Sequence, residues 1–158
     1  MPCMVKLDDK LTLSFPDGFH VMDDAEKSGM QFYGGNPGKC LSNPECHVMI
    51  SIGRKSIGGL SALLINTKDA AKRMEARIRK PMQAYGYRLN GFAAKNVGGE
   101  QAEGFGYEYE SQGIDMYGES CVIRHDRTLY YLNFYARREL MSKSLDARNE
   151  ILASAVWS

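Results

Sequence analysis

The amino-acid sequence predicts an α+β protein in which a mostly antiparallel sheet is flanked by two main helices. The first observation is the segment 104–137, GFGYEYESQGIDMYGESCVIRHDRTLYYLNFYARR, where aromatic or β-branched residues alternate with polar ones and turn residues interrupt at short intervals. This pattern is typical of strands joined by hairpins. The second observation is a pair of apolar stripes at helical spacing, near residues 67–85 and 139–155. Because hairpins pair neighbouring strands antiparallel, we expect both helices to pack against one sheet.

Composition is that of an ordinary folded protein, and we expect residues 1–158 to form one domain. The chain has 158 residues, of which 44% are apolar and 25% charged, with a net charge of +1. This balance gives no electrostatic reason to expect nucleic acid or an anionic membrane as a partner. No apolar run approaches the roughly 20 residues needed to cross a bilayer. The start, MPCMVKLDD, lacks the features of a signal peptide, so we expect a cytoplasmic protein if Met1 is the natural start.

The first third of the chain alternates short strands with turns. Residues 23–28 are expected to be a polar break, and residues 34–46 a long loop rich in Gly, Pro and Asn. A loop of that length is either functional or a surface insertion. The expected strands are residues 11–15, 19–22, 30–33 and 47–56.

The first long helix is expected to start at Asn66 or Thr67, with Asn66 as N-cap and Asp69 completing a capping-box-like arrangement. Pro81 should kink or shorten this helix after Arg79. The helix has six basic residues against two acidic ones, so its outer side is either a solvated face or a docking face for an acidic partner. The basic residues are Lys68, Lys72, Arg73, Arg77, Arg79 and Lys80.

The second half of the chain is predicted to form four strands and a helix. A strand over 87–97, loosened by Gly91, leads into a hairpin at Gly98-Gly99. The last strand, residues 129–136, is apolar or aromatic on both faces, so it is covered on both sides or has one face that binds something. In the closing helix, over 139–155, the apolar stripe faces the sheet. Trp157 follows it and is expected to anchor the helix onto the sheet.

Several of these segments resemble one known family. The opening LTLSFPDGF, the hairpin IRHDRTLYYLNF and the ending ILASAVW are similar to segments of the PsbP-like, or Mog/PsbP-type, α/β/α sandwich. The resemblance covers nearly the whole chain and implies that fold. It also implies a mostly non-enzymatic protein, since the members include photosystem assembly factors, a nuclear Ran-binding regulator, bacterial lipoproteins and effector-associated chaperones of type VI secretion. This chain lacks a lipoprotein signal, and no site residue is carried over from any member.

Motifs for catalysis or cofactor binding are not found. The sequence has no phosphate loop, no Gly-x-Ser-x-Gly and no His-Glu-x-x-His, and we expect no catalytic residues, cofactor or metal. Cys40 and Cys46 could pair if oxidised, although free thiols are favoured. Cys121 and His125 share a strand face but are separated by roughly 13 Å, too far for a nucleophile and its base.

The most distinctive feature of the sequence is a concentration of tyrosines with nearby arginines. Both residue types are enriched at interface hot spots. The rings either lie under helices or form one partly open sheet face that binds an apolar or amphipathic segment of another protein. Our leading hypothesis is therefore a non-catalytic protein-binding module: an adaptor, an assembly factor or a chaperone, with a homodimer as a further possibility. The alternative is a small-molecule binder or small enzyme that uses the loop 34–46 as a lid. The predicted binding residues are Tyr107, Tyr109, Tyr117, Tyr131, Tyr135, Arg124 and Arg137.

Overall fold

A seven-stranded antiparallel sheet forms the centre of the structure, a computed structural model that describes residues 3–28, 38–58, 64 and 66–158. Its strand order is β3-β4-β5-β9-β8-β7-β6, and a smaller sheet has the order β1-β2-β10. The strands are β1 Cys3–Lys6, β2 Leu11–Phe15, β3 His20–Val21, β4 Lys39–Asn43, β5 Val48–Ser56, β6 Arg88–Val97, β7 Glu100–Ser111, β8 Ile114–His125, β9 Thr128–Arg137 and β10 Val156–Trp157. The helices are α1 Asp24–Ser28, α2 Thr67–Met82 and α3 Met141–Ala153, with single 3-10 turns at Gln83–Tyr85 and Arg138–Leu140.

The two faces of the large sheet are covered differently. Helix α2 packs on β7 and β8, over a core that includes Met74, Ile78 and Phe105. On the opposite face lie the small sheet and α3, which packs on β2 and β9. The predicted α+β class, a mostly antiparallel sheet with two main helices, is confirmed. Within the described residues, no helix has the length and apolar character needed to cross a membrane.

Strand β9 is the fourth of the seven strands, so the sheet is centred on it. Leu129 faces α2 and is buried there. Tyr130 and Leu132 belong to the core on the opposite face. Of the two alternatives for this doubly apolar strand, coverage on both sides is therefore the one that the structure shows.

The N-terminal third departs from expectation in two places. Residues 34–46 were expected to be a loop, but Lys39–Asn43 is strand β4, paired with β5 along its whole length. Residues 39–43 cannot act as a lid, because their backbone is part of the ladder and Cys40 and Leu41 are buried; residues 34–37 of the expected loop lie outside the described residues. Residues 23–28 contain helix α1, whose start is capped by Asp23 Oδ1 accepting from Glu26 N at 2.8 Å. The strand expected at 30–33 lies outside the described residues.

Helix α2 begins at the expected residue and lies within the predicted range 67–85, without the shortening expected at Pro81. Asn66 Oδ1 accepts a hydrogen bond from Asp69 N at 2.8 Å, and Asn66 Nδ2 donates to Asp69 Oδ2 at 3.0 Å. The shortening expected after Arg79 does not occur, because the helix continues through Pro81 to Met82, within the predicted range 67–85. A proline in the last turn removes only one intrahelical hydrogen bond. Met82, which follows it, is buried against the sheet and favours continuing the helix to that residue.

Trp157 closes the chain in strand β10, not on the helix itself. It pairs with Leu11 of the small sheet. Its Nε1 donates to the carbonyl of Val97 at 2.9 Å, and its ring stacks on His125 with centroids 4.5 Å apart. The ring therefore joins the end of the chain to both sheets, immediately after α3.

Candidate functional site

The predicted tyrosine face is divided between the two faces of the large sheet. Tyr107 pairs with Gly118, and Gly118 pairs with Tyr135, so both tyrosines lie on the α2 face. Tyr117 lies one position from Gly118 and occupies the opposite face. Since side chains alternate along a strand, an offset of one residue reverses the face. The prediction that one face carries all five tyrosines is wrong for Tyr117.

Three of the five rings are buried, so the expected openness is also wrong for them. Tyr107, Tyr117 and Tyr135 are 0%, 8% and 9% exposed. Tyr109 and Tyr131 are half-buried. The part that any of these residues plays in binding stays a prediction.

The two predicted arginines are half-buried and lie far apart along the strands. Arg124 Nε donates to the carbonyl of Asp126 at 3.3 Å in the β8–β9 turn. Arg137, at the other end of β9, is 3.7 Å from the Glu139 carboxylate. The structure therefore places the two arginines at opposite ends of the β8–β9 hairpin, Arg124 in the row next to that of Tyr131 and Arg137 in the row of Tyr109.

A groove opens where α2 ends and the sheet continues beyond it. Tyr109 pairs with Met116, and Met116 pairs with Arg137, so these three side chains form a row on the α2 face. The adjacent row carries Tyr135 and its partner Met49. With Met82 of α2, these residues line a groove of about 800 Å³. It brings together Tyr109, Tyr135 and Arg137 of the predicted set.

The chemistry of this groove is apolar and adaptable, with positive charge at its rim. Methionine side chains are flexible and polarisable, and tyrosines offer an apolar ring with a polar tip. Three methionines contribute to the lining: Met49 and Met116, both half-buried, and the buried Met82. None of the described residues that line the groove is acidic, whereas Arg137 and His47 are basic. Such a surface fits a segment that is apolar on one side and acidic at its edge.

The groove floor continues into a rigid aromatic layer under α2. The ring of Tyr107 lies across Gly118 so closely that a Cβ at Gly118 would be 2.2 Å from it. Its centroid is 5.2 Å from that of Tyr87 and 5.8 Å from that of Tyr109. Within the described residues its buried hydroxyl has no hydrogen bond of good geometry, and burial raises the pKa of Tyr107 well above its usual value. Tyr107 is thus a core residue that supports Tyr109.

Tyr131 lies on the same face but outside this groove. It contributes to a separate cleft beside α2, together with Arg73, Arg77 and Leu129. The structure therefore separates Tyr131 from Tyr135, although both belong to β9 and face the same way.

A charged cluster on the opposite face was not predicted from the sequence. Glu119 is 5% exposed; its carboxylate accepts from Tyr117 at 3.1 Å and forms ion pairs with Lys95 and Arg148. Burial, with the neighbouring Arg148 guanidinium, lowers the pKa of Lys95 to about 8. The available signal was the position of Glu119 in β8, two residues from Tyr117 and from Cys121, which places it on the same buried face as both. The partners of Glu119 come from other elements, which sequence spacing could not reveal.

Two of the described cysteines, Cys40 and Cys121, have thiols whose pKa is raised by burial. Burial raises the pKa of the Cys121 thiol to about 11, which keeps it protonated at neutral pH. Cys40 and Cys46 are free, and burial also raises the pKa of Cys40. In the described part of the chain, no three His, Cys, Asp or Glu side chains are grouped as a metal site would require.

Comparisons with known proteins show likeness at the level of fold. No protein-family model matches the chain, and no curated protein matches its sequence. The solution structure of cyanobacterial PsbP, CyanoP, from Synechocystis is similar with a TM-score of 0.67 and 13% identity, covering 95% of this chain and 88% of that one. LpqN, involved in cell envelope biogenesis of Mycobacterium tuberculosis, is similar with a TM-score of 0.63 and 14% sequence identity. The match covers 100% of this chain and 91% of LpqN.

The Ran-binding protein Mog1p of Saccharomyces cerevisiae is a third similar structure. It has a TM-score of 0.56 and 11% identity, covering 98% of this chain and 94% of its own. Sequence identities this low show a shared fold only, so the function has to be inferred from the site itself. The chain therefore has the PsbP/Mog-like fold that its sequence resembles.

Proposed function

We propose that this protein is a non-catalytic protein-binding module, an adaptor, assembly factor or chaperone, that holds an amphipathic segment of another protein in the groove beyond α2. The observation that carries this proposal is the groove itself, where the sheet continues past Met82 with Tyr109, Met116 and Arg137 along one row. A half-buried apolar row that ends in a charge is a common design for peptide capture.

Charge gives the bound segment its orientation. The groove is lined by no described acidic residue, and α2 ends beside it with Arg79 and Lys80 in its last turn. An acidic residue at the edge of the segment would share Arg137 with Glu139, whose carboxylate is 3.7 Å from the guanidinium, while apolar side chains cover Met49 and Met116. Arg is the basic residue best suited to this contact, because its planar fork matches a carboxylate.

The structural neighbours support a binding role without specifying a partner. Mog1p is described as a Ran-binding protein, and LpqN as involved in cell envelope biogenesis. At 11% and 14% identity these descriptions do not transfer to this chain. They are consistent with a fold that presents surfaces to other proteins.

Site-specific photo-crosslinking would identify the partner, and variants would then test the groove. A photo-reactive residue replaces Tyr109 in one version of the protein and Tyr131 in the control, which is also half-buried and on the same face. The crosslinked protein is identified by mass spectrometry, produced in pure form, and titrated against wild-type protein. We expect Tyr109→Ser and Met116→Ser to weaken binding by about tenfold or more, while Tyr131→Ser leaves it unchanged.

The same variants should retain the wild-type melting temperature to within a few degrees, because both side chains are half-buried. Equal crosslinking from positions 109 and 131 would refute the groove as the binding site. So would a partner that binds the Tyr109→Ser and Met116→Ser variants as tightly as the wild-type protein.

A further inference from the structure

The outer edge of the large sheet is a second surface that the groove does not use. Strand β6 is the terminal strand, and none of the described strands pairs with its outer side. It is ten residues long, and its residues from Arg88 to Ala94 are exposed. Leu89 and Phe92 are 39% and 41% exposed. Such an edge presents a row of backbone donors and acceptors to any extended chain.

The usual protections of an edge strand are weak here. Natural edges are blunted by proline, by bulges, by charged side chains or by inward-pointing charges. Strand β6 contains no proline, and its one bulge lies near its start, between Leu89 and Gly91. From Gly91 to Val97 its pairing with β7 is regular. Lys95, which is turned toward Glu119, is the one charged residue of the stretch 91–96. This stretch therefore has a single inward charge as protection and leaves its outer backbone groups open to pairing.

The surface beside this edge, on the α3 face, carries an excess of positive charge. Glu108 is shared by Arg88 at 2.7 Å and Arg138 at 2.8 Å. One row further on, Glu119 is shared in the same way by Lys95 and Arg148. Four cations thus surround two carboxylates, an excess of two positive charges. Among the described residues of β6, β7 and β8, further acidic side chains on this face are Glu100, at the start of β7 and 3.2 Å from His125, and Glu110 with Asp115 at the tip of the β7–β8 hairpin.

Between these charges lies a shallow trough beside the edge. Its floor is formed by Gly91, Ala93, Gly104 and Gly106, and at its side stand Tyr117 and Glu119 with the two cations that pair with Glu119, Lys95 and Arg148. Small floor residues let the side chains of an added strand lie against the sheet without a clash. An acidic side chain placed there would reach the cations that share Glu119, and the partly desolvated site would strengthen the attraction.

We propose that β6 is a docking edge for an extended, acidic segment of another protein, which adds an eighth antiparallel or parallel strand with its carboxylates over the trough. Apolar side chains on the other face of that strand would cover Phe92. A second copy of this chain is a poorer occupant, since β6 carries Arg88 and Lys95 and no acidic residue. Pairing β6 with itself would place cations beside cations. This proposal does not depend on the groove beyond α2.

Synthetic peptides provide the test on the wild-type protein. The probe alternates valine with polar residues and carries two glutamates on its polar face. A matched peptide carries two lysines in their place, and a third keeps the glutamates but has alternate backbone amides methylated. Binding is followed by NMR titration and by hydrogen exchange of the backbone amides.

We expect the acidic peptide to bind saturably and to slow exchange at residues 91–96. The lysine and methylated peptides should each bind at least about tenfold more weakly, because one loses charge-assisted contacts and the other the backbone ladder. Lys95→Gln should reduce the preference for glutamate over lysine, and Tyr109→Ser should change nothing. Three results would overturn the proposal: no protection at β6, equal affinity for the acidic and basic peptides, or dimerisation of the free protein through β6 in sedimentation experiments.

Discussion

Replacing Tyr107 with phenylalanine should stabilise the protein, although most substitutions of core residues destabilise it. The ring keeps its contacts with Tyr87 and Phe105, whose centroids lie 5.2 and 5.9 Å away. Only the hydroxyl is lost. It is buried beside the Ser120 side chain, which already donates to Asn133 Oδ1 at 2.6 Å, and within the described residues it makes no hydrogen bond of good geometry. A buried polar group without a partner costs about 1–3 kcal/mol. We therefore expect Tyr107→Phe to raise the free energy of unfolding by about 1 kcal/mol.

The pH dependence of stability gives a second readout for the same variant. Burial places the folded-state pKa of Tyr107 well above the ordinary value of 10.0. A group whose pKa is raised by folding stabilises the folded state fully below pH 10.0, and this contribution is lost as pH rises above it. Tyr107→Phe lacks that titration, so its stability should fall less steeply above pH 10.0 than that of the wild type.

Urea unfolding followed by circular dichroism measures both effects, with Tyr117→Phe as the matched control. The Tyr117 hydroxyl donates a hydrogen bond to the Glu119 carboxylate at 3.1 Å. Removing this hydroxyl should therefore lower the free energy of unfolding by about 1.5–3 kcal/mol. If Tyr107→Phe were destabilising by more than about 0.5 kcal/mol at neutral pH, the hydroxyl would have a partner and the reasoning would fail.

Two further predictions concern close contacts. Gly118→Ala should lower the free energy of unfolding in urea by about 1–3 kcal/mol, because the new Cβ would be 2.2 Å from the Tyr107 ring. Gly58→Ala is the control and should be tolerated, because a Cβ there meets nothing within 4 Å. Equal stability of the two variants would contradict the close contact at Gly118. Trp157→Phe should cost about 1–2 kcal/mol by leaving the carbonyl of buried Val97 without the indole donor; an unchanged melting temperature in thermal unfolding would show that Trp157 does not join the two sheets.

Helices and strands with strong local signals were predictable, because their information is contained in neighbouring residues. The capping of α2 by Asn66 depends on residues three apart. The hairpin at Gly98-Gly99 depends on two residues with positive φ, at 61° and 92°. The phase of β9 is visible in its alternation, and with it the assignment of Leu129 and Tyr130 to opposite faces. The resemblance in sequence also led to the fold that the structural comparisons show.

Strand β4 had no such signal. Its sequence, KCLSN, is short and lies among glycines, prolines and asparagines. It becomes a strand because β5 offers a ladder for its backbone and the core accepts Cys40 and Leu41. Propensity in a five-residue segment is easily overridden by such tertiary pairing.

The candidate site shows the same division between local and tertiary information. Residue types alone indicated that tyrosines and arginines between 104 and 137 matter for binding, a role that stays a prediction. Which face each ring occupies depends on the register between strands, and this placed Tyr117 opposite Tyr107. Which rings are covered depends on where α2 ends, and this separated buried Tyr107 from half-buried Tyr109. Alternation within a strand is a local property and can be read from the sequence, whereas register and coverage arise from contacts between distant segments and exist only in the folded chain.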